Sequence, residues 1–508
     1  MCKEGGYTER HVIHPTRLTE PQGKIKKYGT RILPFVVCLV FGYIIGGYSD
    51  TPLPLLSLLA ATCAFVFLGM ELAVYLLLIA LPFSFRYILP GRFEIQTPTE
   101  PLLGMLVVVY CVRRILDRVI QSGIGVPSYK DRTQSGIGVP SYRDKQENTF
   151  PFFLPICLYI LVTFLSAINT PDLFGTLKGA LRATVYILFS VVVHAVIENR
   201  VALKRLFIAS FPSATVAVIW TVIVLIYHID AWQWTSAYRS APFTNYSVYG
   251  AFTALFFLVC LSRLLFDSSG YDRVLWTAWF LCFGVGLLMC FSRGVWLSVI
   301  VAIGFMLLQL GKGVTHKKIL FIGAACLILL VCLNLPGIYN ILVERITSAV
   351  DLGYASNRAR LLRWGQAFVM FAESPILGKG YGAFAMLYEE DVALVGSYTA
   401  QYQLGAHSEY LQVMAELGIV GLGAWIWLNL AFLRYGFRAL KTLEDGFYRA
   451  IVIGLMAAEI SLMVHFTVNN LLNGDAIGVP FWGIYGLLPA VVQMANREKI
   501  TTETAHSV

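Results

Sequence analysis

The chain has 508 residues, 57% of them hydrophobic and 14% charged, with a mean hydropathy of +0.68. Soluble domains carry roughly one quarter charged residues, so composition excludes a soluble globular chain and indicates a polytopic membrane protein. The net charge of +9 does not suggest a nucleic-acid ligand, because no basic stripe with interleaved aromatics occurs.

Residues 1–31 form a basic, polar tail with no short apolar core before a small-residue cleavage site, so no cleaved signal peptide is expected. Apolar runs of spanning length follow at 32–49, 52–69, 72–89, 98–113, 150–168, 178–197, 206–227, 245–265, 274–291, 294–311, 319–335, 408–433, 450–471 and 477–494. The expected fold is therefore all-α, with fourteen spans, or twelve if the weakly divided stretch 51–89 is re-entrant or tilted. The expected layout is a cytoplasmic tail (1–31), N-terminal spans (32–113), a cytoplasmic linker (114–149), central spans (150–334), a long periplasmic loop with short helices (335–407), C-terminal spans (408–494) and a cytoplasmic tail (495–508). Most of the ten cysteines fall singly inside these runs, as small buried hydrophobes would.

With the N-terminus in the cytoplasm, 28 of the 39 Lys and Arg residues lie inside, as the positive-inside rule requires. The linker holds Gln-Ser-Gly-Ile-Gly-Val-Pro-Ser-Tyr twice, from Gln121 and from Gln134. Two copies are too few to stack and too polar to form a core, so the repeat reads as a duplicated flexible linker.

The basic residues left outside are mostly arginines, among them Arg182, Arg239, Arg293, Arg358, Arg360 and Arg363. The planar guanidinium fork matches phosphate oxygens better than an ammonium does, so these residues point to an anionic, lipid-linked ligand. A guanidinium touching lipid headgroups would give the same pattern. Residues 356–368 place arginines, aromatics and apolar side chains at helical spacing, which suits an amphipathic helix on the membrane surface. The glycines of Gly378-Lys-Gly380-Tyr-Gly382 read as turns folding the loop over a cavity, or equally as sites of close backbone packing.

His407 stands where this loop re-enters the bilayer, followed by Ser408, nine residues, Gly418, two residues and Gly421. Leu411, Met414, Gly418, Gly421 and Trp425 would share one face of a continuous helix, with small residues admitting a close neighbour. Glu416 needs a partner or water at its depth, and the sequence names none. His465 and Glu459 read as hydrogen-bonded core groups.

The His-Ser…Gly…Gly spacing resembles the signature of the O-antigen ligase and polymerase superfamily of bacterial membrane glycosyltransferases. Ser292-Arg293-Gly294 resembles the Ser-Arg-Gly turn of the same superfamily, and Arg239…Phe243…Asn245 its Arg, Phe, Asn segment, although Pro242 and Tyr246 depart from the usual Gly and Pro. The resemblance spans about Lys178 to Pro489. It implies an inverting transfer of a glycan from undecaprenyl diphosphate to a sugar hydroxyl, at the periplasmic face of the bacterial inner membrane. His407 would be the base, and Arg293 with Arg239 would hold the diphosphate. Arg182, Arg358, Arg360, Arg363, Ser408 and Glu409 are expected substrate contacts. An unperturbed histidine would lose activity below about pH 6.5. No metal and no cofactor are expected. The expected partners are the lipid-linked donor, a glycan or lipid A core acceptor and membrane lipids. The ligase that attaches polysaccharide to lipid A core is favoured over a polymerase of lipid-linked repeats. A flippase for the same lipid is the competitor from another class, and a structural assembly partner a third.

Overall fold

The computed structural model describes residues 69–89, 93–123, 150–228, 240–243, 245–267, 272–310, 355–391 and 405–506, all within one compact unit, Gly69–Val508. The expected spans at 32–49, 52–68 and 319–335, almost all of the tandem repeat, and Arg239 lie outside these residues.

The described helices are α1 (Met70–Ala80), α2 (Thr99–Gly123), α3 (Phe153–Leu165), α4 (Leu173–Val196), α5 (Arg200–Tyr227), α6 (Tyr246–Phe266), α7 (Arg273–Met289) and α8 (Arg293–Gln309). They continue as α9 (Ala355–Glu373), α10 (Phe384–Asp391), α11 (Glu409–Leu440), α12 (Gly446–His465) and α13 (Asp475–His506). Among them, six are long and apolar enough to cross a membrane and four apolar helices are shorter. The fold is helical as expected, with one departure. The run read as a span over 72–89 stops after a 3-10 turn at Phe83, and an antiparallel hairpin follows, β1 (Phe85–Leu89) with β2 (Phe93–Thr97), pairing Leu89 with Phe93 and Phe85 with Thr97. Pro90-Gly91 between two runs rich in aromatic and β-branched residues favours a turn over a helix.

Span starts are set by short polar side chains that accept the first free helix N–H groups. Asp172 accepts from Gly175 N at 2.9 Å, Asn199 from Ala202 N at 2.9 Å, Asn245 from Ser247 N at 2.7 Å and Asp445 from Phe447 N at 2.6 Å. The core centres on α12, whose Ile451, Val452, Ile453, Ala457 and Ala458 are fully buried against α6, α8 and α13. At the periphery α5 turns Ile208, Ile219, Ile223 and Ile226 outward. A helix in water would place polar residues there, so this face is built for lipid.

The element that positions the site is a break in α11. Gly418 sits at φ 66°, ψ −165°, which interrupts the helix. Two helical hydrogen bonds, between Ala415 and Ile419 and between Glu416 and Val420, are thereby lost. The segment 375–380 recovers all four freed groups. Lys379 N and Gly380 N donate to the carbonyls of Ala415 and Glu416 at 3.1 and 3.0 Å, while Ile419 N and Val420 N donate to the carbonyls of Pro375 and Ile376 at 2.8 and 3.4 Å. Each such group left unpaired would cost about 1–3 kcal/mol, and more in hydrocarbon. A Cβ at Gly378 would overlap the Glu416 carbonyl and one at Gly418 the Ile376 carbonyl, so neither position admits a side chain. The expected continuous glycine face is thus corrected: Gly418 receives a loop backbone, and a Cβ at Gly421 would meet only Leu417 of its own helix.

Candidate active site

Helix α9 packs by a face of residues three or four apart. Arg363, Ala367, Met370 and, just past the helix, Ser374 are buried, while Leu361, Leu362, Phe368 and Val369 are exposed. Ala367 and Met370 join Phe384, Tyr388, Ala406 and Ala415 in one apolar cluster. This packing turns Arg363 inward, where it is 1% exposed with its guanidinium 6.0 Å from the centre of the Tyr388 ring. Arg358, on the opposite side of the helix, is exposed.

The break in α11 places the first turn of that helix against the end of α12. Ser408 caps α11 by accepting from Leu411 N at 3.4 Å and donates to the Phe466 carbonyl at 3.3 Å; Glu409 N donates to the same carbonyl at 2.8 Å. His407 adopts a left-handed conformation, φ 54°, with its N–H donating to Asn470 Oδ1 at 3.1 Å. Non-glycine residues enter that region at a cost of order 1–3 kcal/mol, and such positions concentrate at functional sites. Phe291, two residues before Arg293, is the other described non-glycine residue at positive φ, at 49°.

Arg293 begins α8, and its guanidinium donates to Asn357 Oδ1 at 3.3 Å; Arg360 donates to the same oxygen at 3.4 Å. Two cations thus converge on one neutral acceptor. Buried Nε of Arg360 and buried Nε and Nη1 of Arg363 have no hydrogen-bond partner among the described residues, and neither side chain forms an ion pair there. Burial lowers both guanidinium pKa values, and each is lowered further by a neighbouring arginine. Uncompensated buried cations of this kind are costly unless an anion joins them.

His407 lies in the field of Arg363 and Arg360. Burial first, and then these two guanidiniums, push its pKa down to about 3, against a hydrogen bond with Asn469 that raises it. The titration expected near 6.5 is therefore corrected downward, and the imidazole is neutral across the physiological range. Asn469 also meets His465 Nε2 at 2.8 Å, and His465 lies beneath Gly294, whose added Cβ would stand 3.1 Å from the ring. Glu459, also read as a core group, meets Tyr485 OH at 3.3 Å.

The structure thus joins Arg293, Arg360, Arg363 and His407, with Ser408 capping the helix behind them. Glu409 points away, accepting from Leu471 N at 3.0 Å and Leu472 N at 3.5 Å. Arg182 is not part of this group. It pairs with Glu100 and, at 3.5 Å, with Asp475. Glu416 receives the partner that the sequence could not name, Gln412 Nε2 at 3.2 Å together with Phe384 N at 3.3 Å. Sequence reasoning missed Asn357, Asn469 and Asn470; the pair Asn469-Asn470 directly after an apolar span, four residues beyond His465, was the available signal.

The O-antigen ligase family model matches residues 278–426, which contain Arg293, Asn357, Arg360, Arg363 and His407. An O-antigen ligase of Salmonella typhimurium is 26% identical over 205 residues, 38% of this chain and 48% of that protein. Over these residues the chain is similar to the O-antigen ligase superfamily. It spans about half the length of the curated relative it matches. Arg182 and the Asn469-Asn470 pair fall outside the superfamily match. Among the described residues no group of His, Cys, Asp and Glu could hold a metal ion.

Proposed function

We propose that this chain is a membrane glycosyltransferase that moves a glycan from undecaprenyl diphosphate to an acceptor sugar hydroxyl at the periplasmic face of the inner membrane, as an O-antigen ligase attaching polysaccharide to lipid A core. The observation that carries the reading is the pair of half-buried Arg360 and buried Arg363, with buried guanidinium N–H groups unpartnered among the described residues, beside a neutral His407. A diphosphate supplies the missing anion. Its oxygens take hydrogen bonds from Arg360, Arg363 and Arg293, and the N-terminal end of α8 adds a favourable dipole.

In the proposed reaction the acceptor oxygen attacks the anomeric carbon, the bond from that carbon to the phosphate oxygen breaks, and the electron pair leaves on the diphosphate. The arginines stabilise the charge that grows there, so no acid need protonate the leaving group. His407 accepts the hydroxyl proton and returns it to solvent or to the released diphosphate. Donor binding also raises the basicity of His407, because the diphosphate offsets the two guanidiniums that otherwise disfavour the imidazolium. Arg239 is proposed as a further diphosphate ligand, on the resemblance of its segment alone, and Arg358 as a contact to headgroups or to the outer part of the donor.

The test is reconstitution of purified protein with an undecaprenyl-diphosphate oligosaccharide and either lipid A core or more of the same lipid-linked repeat. A single shift of lipid A core on a gel, lost in His407→Ala and Arg363→Met, supports the ligase. A ladder on the lipid-linked repeat identifies a polymerase instead. Donor crossing the bilayer without either product would replace the reading with a transporter.

A further inference from the structure

On the other flank of the His407 turn lies a cavity of about 270 Å³ that none of the chemistry above uses. It is close to the lower end of ligand pockets, roughly 300–1,000 Å³, and so has room for one sugar ring rather than a chain. Its wall includes Glu100, Arg182, Tyr186, Tyr381, Glu409 and Trp482. Glu409 stands two residues from His407, so the cavity and the arginine group share one turn of backbone.

The wall is built rather than accidental. Arg182 is held between Glu100 and Asp475, and its Nη2 donates to Tyr186 OH at 3.2 Å. Asp475 behind it accepts from Thr99 and Tyr186, and its own N–H donates to Gln96 Oε1 at 3.0 Å. Tyr381, which lines the cavity, is anchored through its backbone, its N–H donating to Ser166 Oγ at 3.1 Å. Trp425 also lines the cavity, and its buried indole N–H has no partner among the described residues.

The chemistry differs in kind from that of the arginine group. The one guanidinium is already paired with two carboxylates, and Glu409 lines the same space, so no uncompensated cation is left to draw in a phosphate. Carboxylates, phenols and an amide instead offer directed donors and acceptors to hydroxyls, and the faces of Trp482 and the tyrosines offer apolar surface to a ring's C–H groups. We infer that this cavity binds one uncharged pyranose of the acceptor glycan, delivering its hydroxyl toward His407. The inference rests on the transferase reading given above.

The experiment uses the full chain in detergent and two probes, methyl α-glycosides of glucose, galactose and mannose, and inorganic pyrophosphate. Binding is read by saturation-transfer NMR and titration calorimetry, without turnover. At least one glycoside is expected to bind, to be unaffected by pyrophosphate, and to weaken about tenfold or more in Glu100→Gln, which removes a charged acceptor, and in Ala183→Leu, which fills the space without removing a charge. In transfer assays Ala183→Leu should raise KM for the acceptor and leave KM for the donor unchanged. No glycoside binding, binding indifferent to both variants, competition by pyrophosphate, or a rise confined to the donor KM would each overturn the assignment. Pyrophosphate binding that survives Ala183→Leu but is lost in Arg363→Met tests the donor reading separately, so the two ideas fail by different signals. Unchanged helical circular dichroism and melting confirm that each variant is folded.

Discussion

The two polar regions flanking His407 differ in how their charges are balanced. Around Arg182 the cation has carboxylate partners: Glu100 and Asp475 face the guanidinium, and Thr99 and Tyr186 serve Asp475. Around Arg360 and Arg363 no carboxylate is paired among the described residues: Arg360 shares a neutral asparagine with Arg293, Arg363 meets Tyr388, and buried N–H groups of both are left over. A cation paired with carboxylates holds elements together, whereas buried cations without an ion pair favour a ligand of opposite charge. Charge topology grouped Arg182 with the other outward arginines, and the difference in partners separates it from them.

The sharpest way to break this contrast is at His407. His407→Ala should lower transfer by about 10²–10⁴-fold while leaving pyrophosphate binding in place, measured as single-turnover rate and calorimetric affinity; normal transfer would remove the histidine from the reaction. Arg363→Met should lower transfer by about 10²–10³-fold and abolish pyrophosphate binding, and it should raise the pKa of His407 by removing one of the cations that depress it. A variant that keeps both properties would show the unpaired guanidinium to be structural.

Smaller effects sharpen the picture. Glu416→Ala should cost about 1–3 kcal/mol, because Gln412 and the Phe384 N–H lose their acceptor, and the loss should appear in thermal melting. The pH dependence has a definite sign. The pKa of His407 in the folded protein, about 3, lies below the unfolded value near 6.5. The unfolded chain therefore takes up more protons between these values, so this residue's contribution to stability is complete above pH 6.5 and is lost as pH falls toward 3. The imidazole C–H resonance of the ligand-free protein should not titrate between pH 5 and 8, whereas pyrophosphate should bring its titration upward. A free-enzyme midpoint at 6.5 would contradict the arginine field.

Much of the helical scaffold was legible because apolar runs of fixed length can satisfy their backbone only as helices in a bilayer. The runs at 206–227, 245–265 and 274–291 differ from α5, α6 and α7 by a few residues at the ends. His407 and Arg293 stood out because a charged or titratable group at the edge of an apolar helix is conspicuous. Arg363 could not be told from Arg358, since both suit a surface helix and only the cluster of Ala367, Met370 and Phe384 decides which turns inward. The hairpin at 85–97 was obscured because hydropathy carries no period once a run is uniformly apolar, although Pro90-Gly91 marked the turn. The break at Gly418 was hidden for a different reason. A glycine that packs a helix and one that ends it look identical until the partner backbone, forty residues earlier in sequence, is in place.

That partner backbone also bears on biogenesis. Residues 375–380 leave the ribosome before Gly418, so the docking strip exists before the helix it interrupts has been made. Helix α11 can therefore enter the membrane as two half-helices meeting a preformed seat, and the final step of topogenesis becomes a stitching of main chain to main chain. Until that seam closes, four main-chain groups lack these partners, and the hydrogen bonds that tie the loop following Arg363 to the helix following His407 are not made.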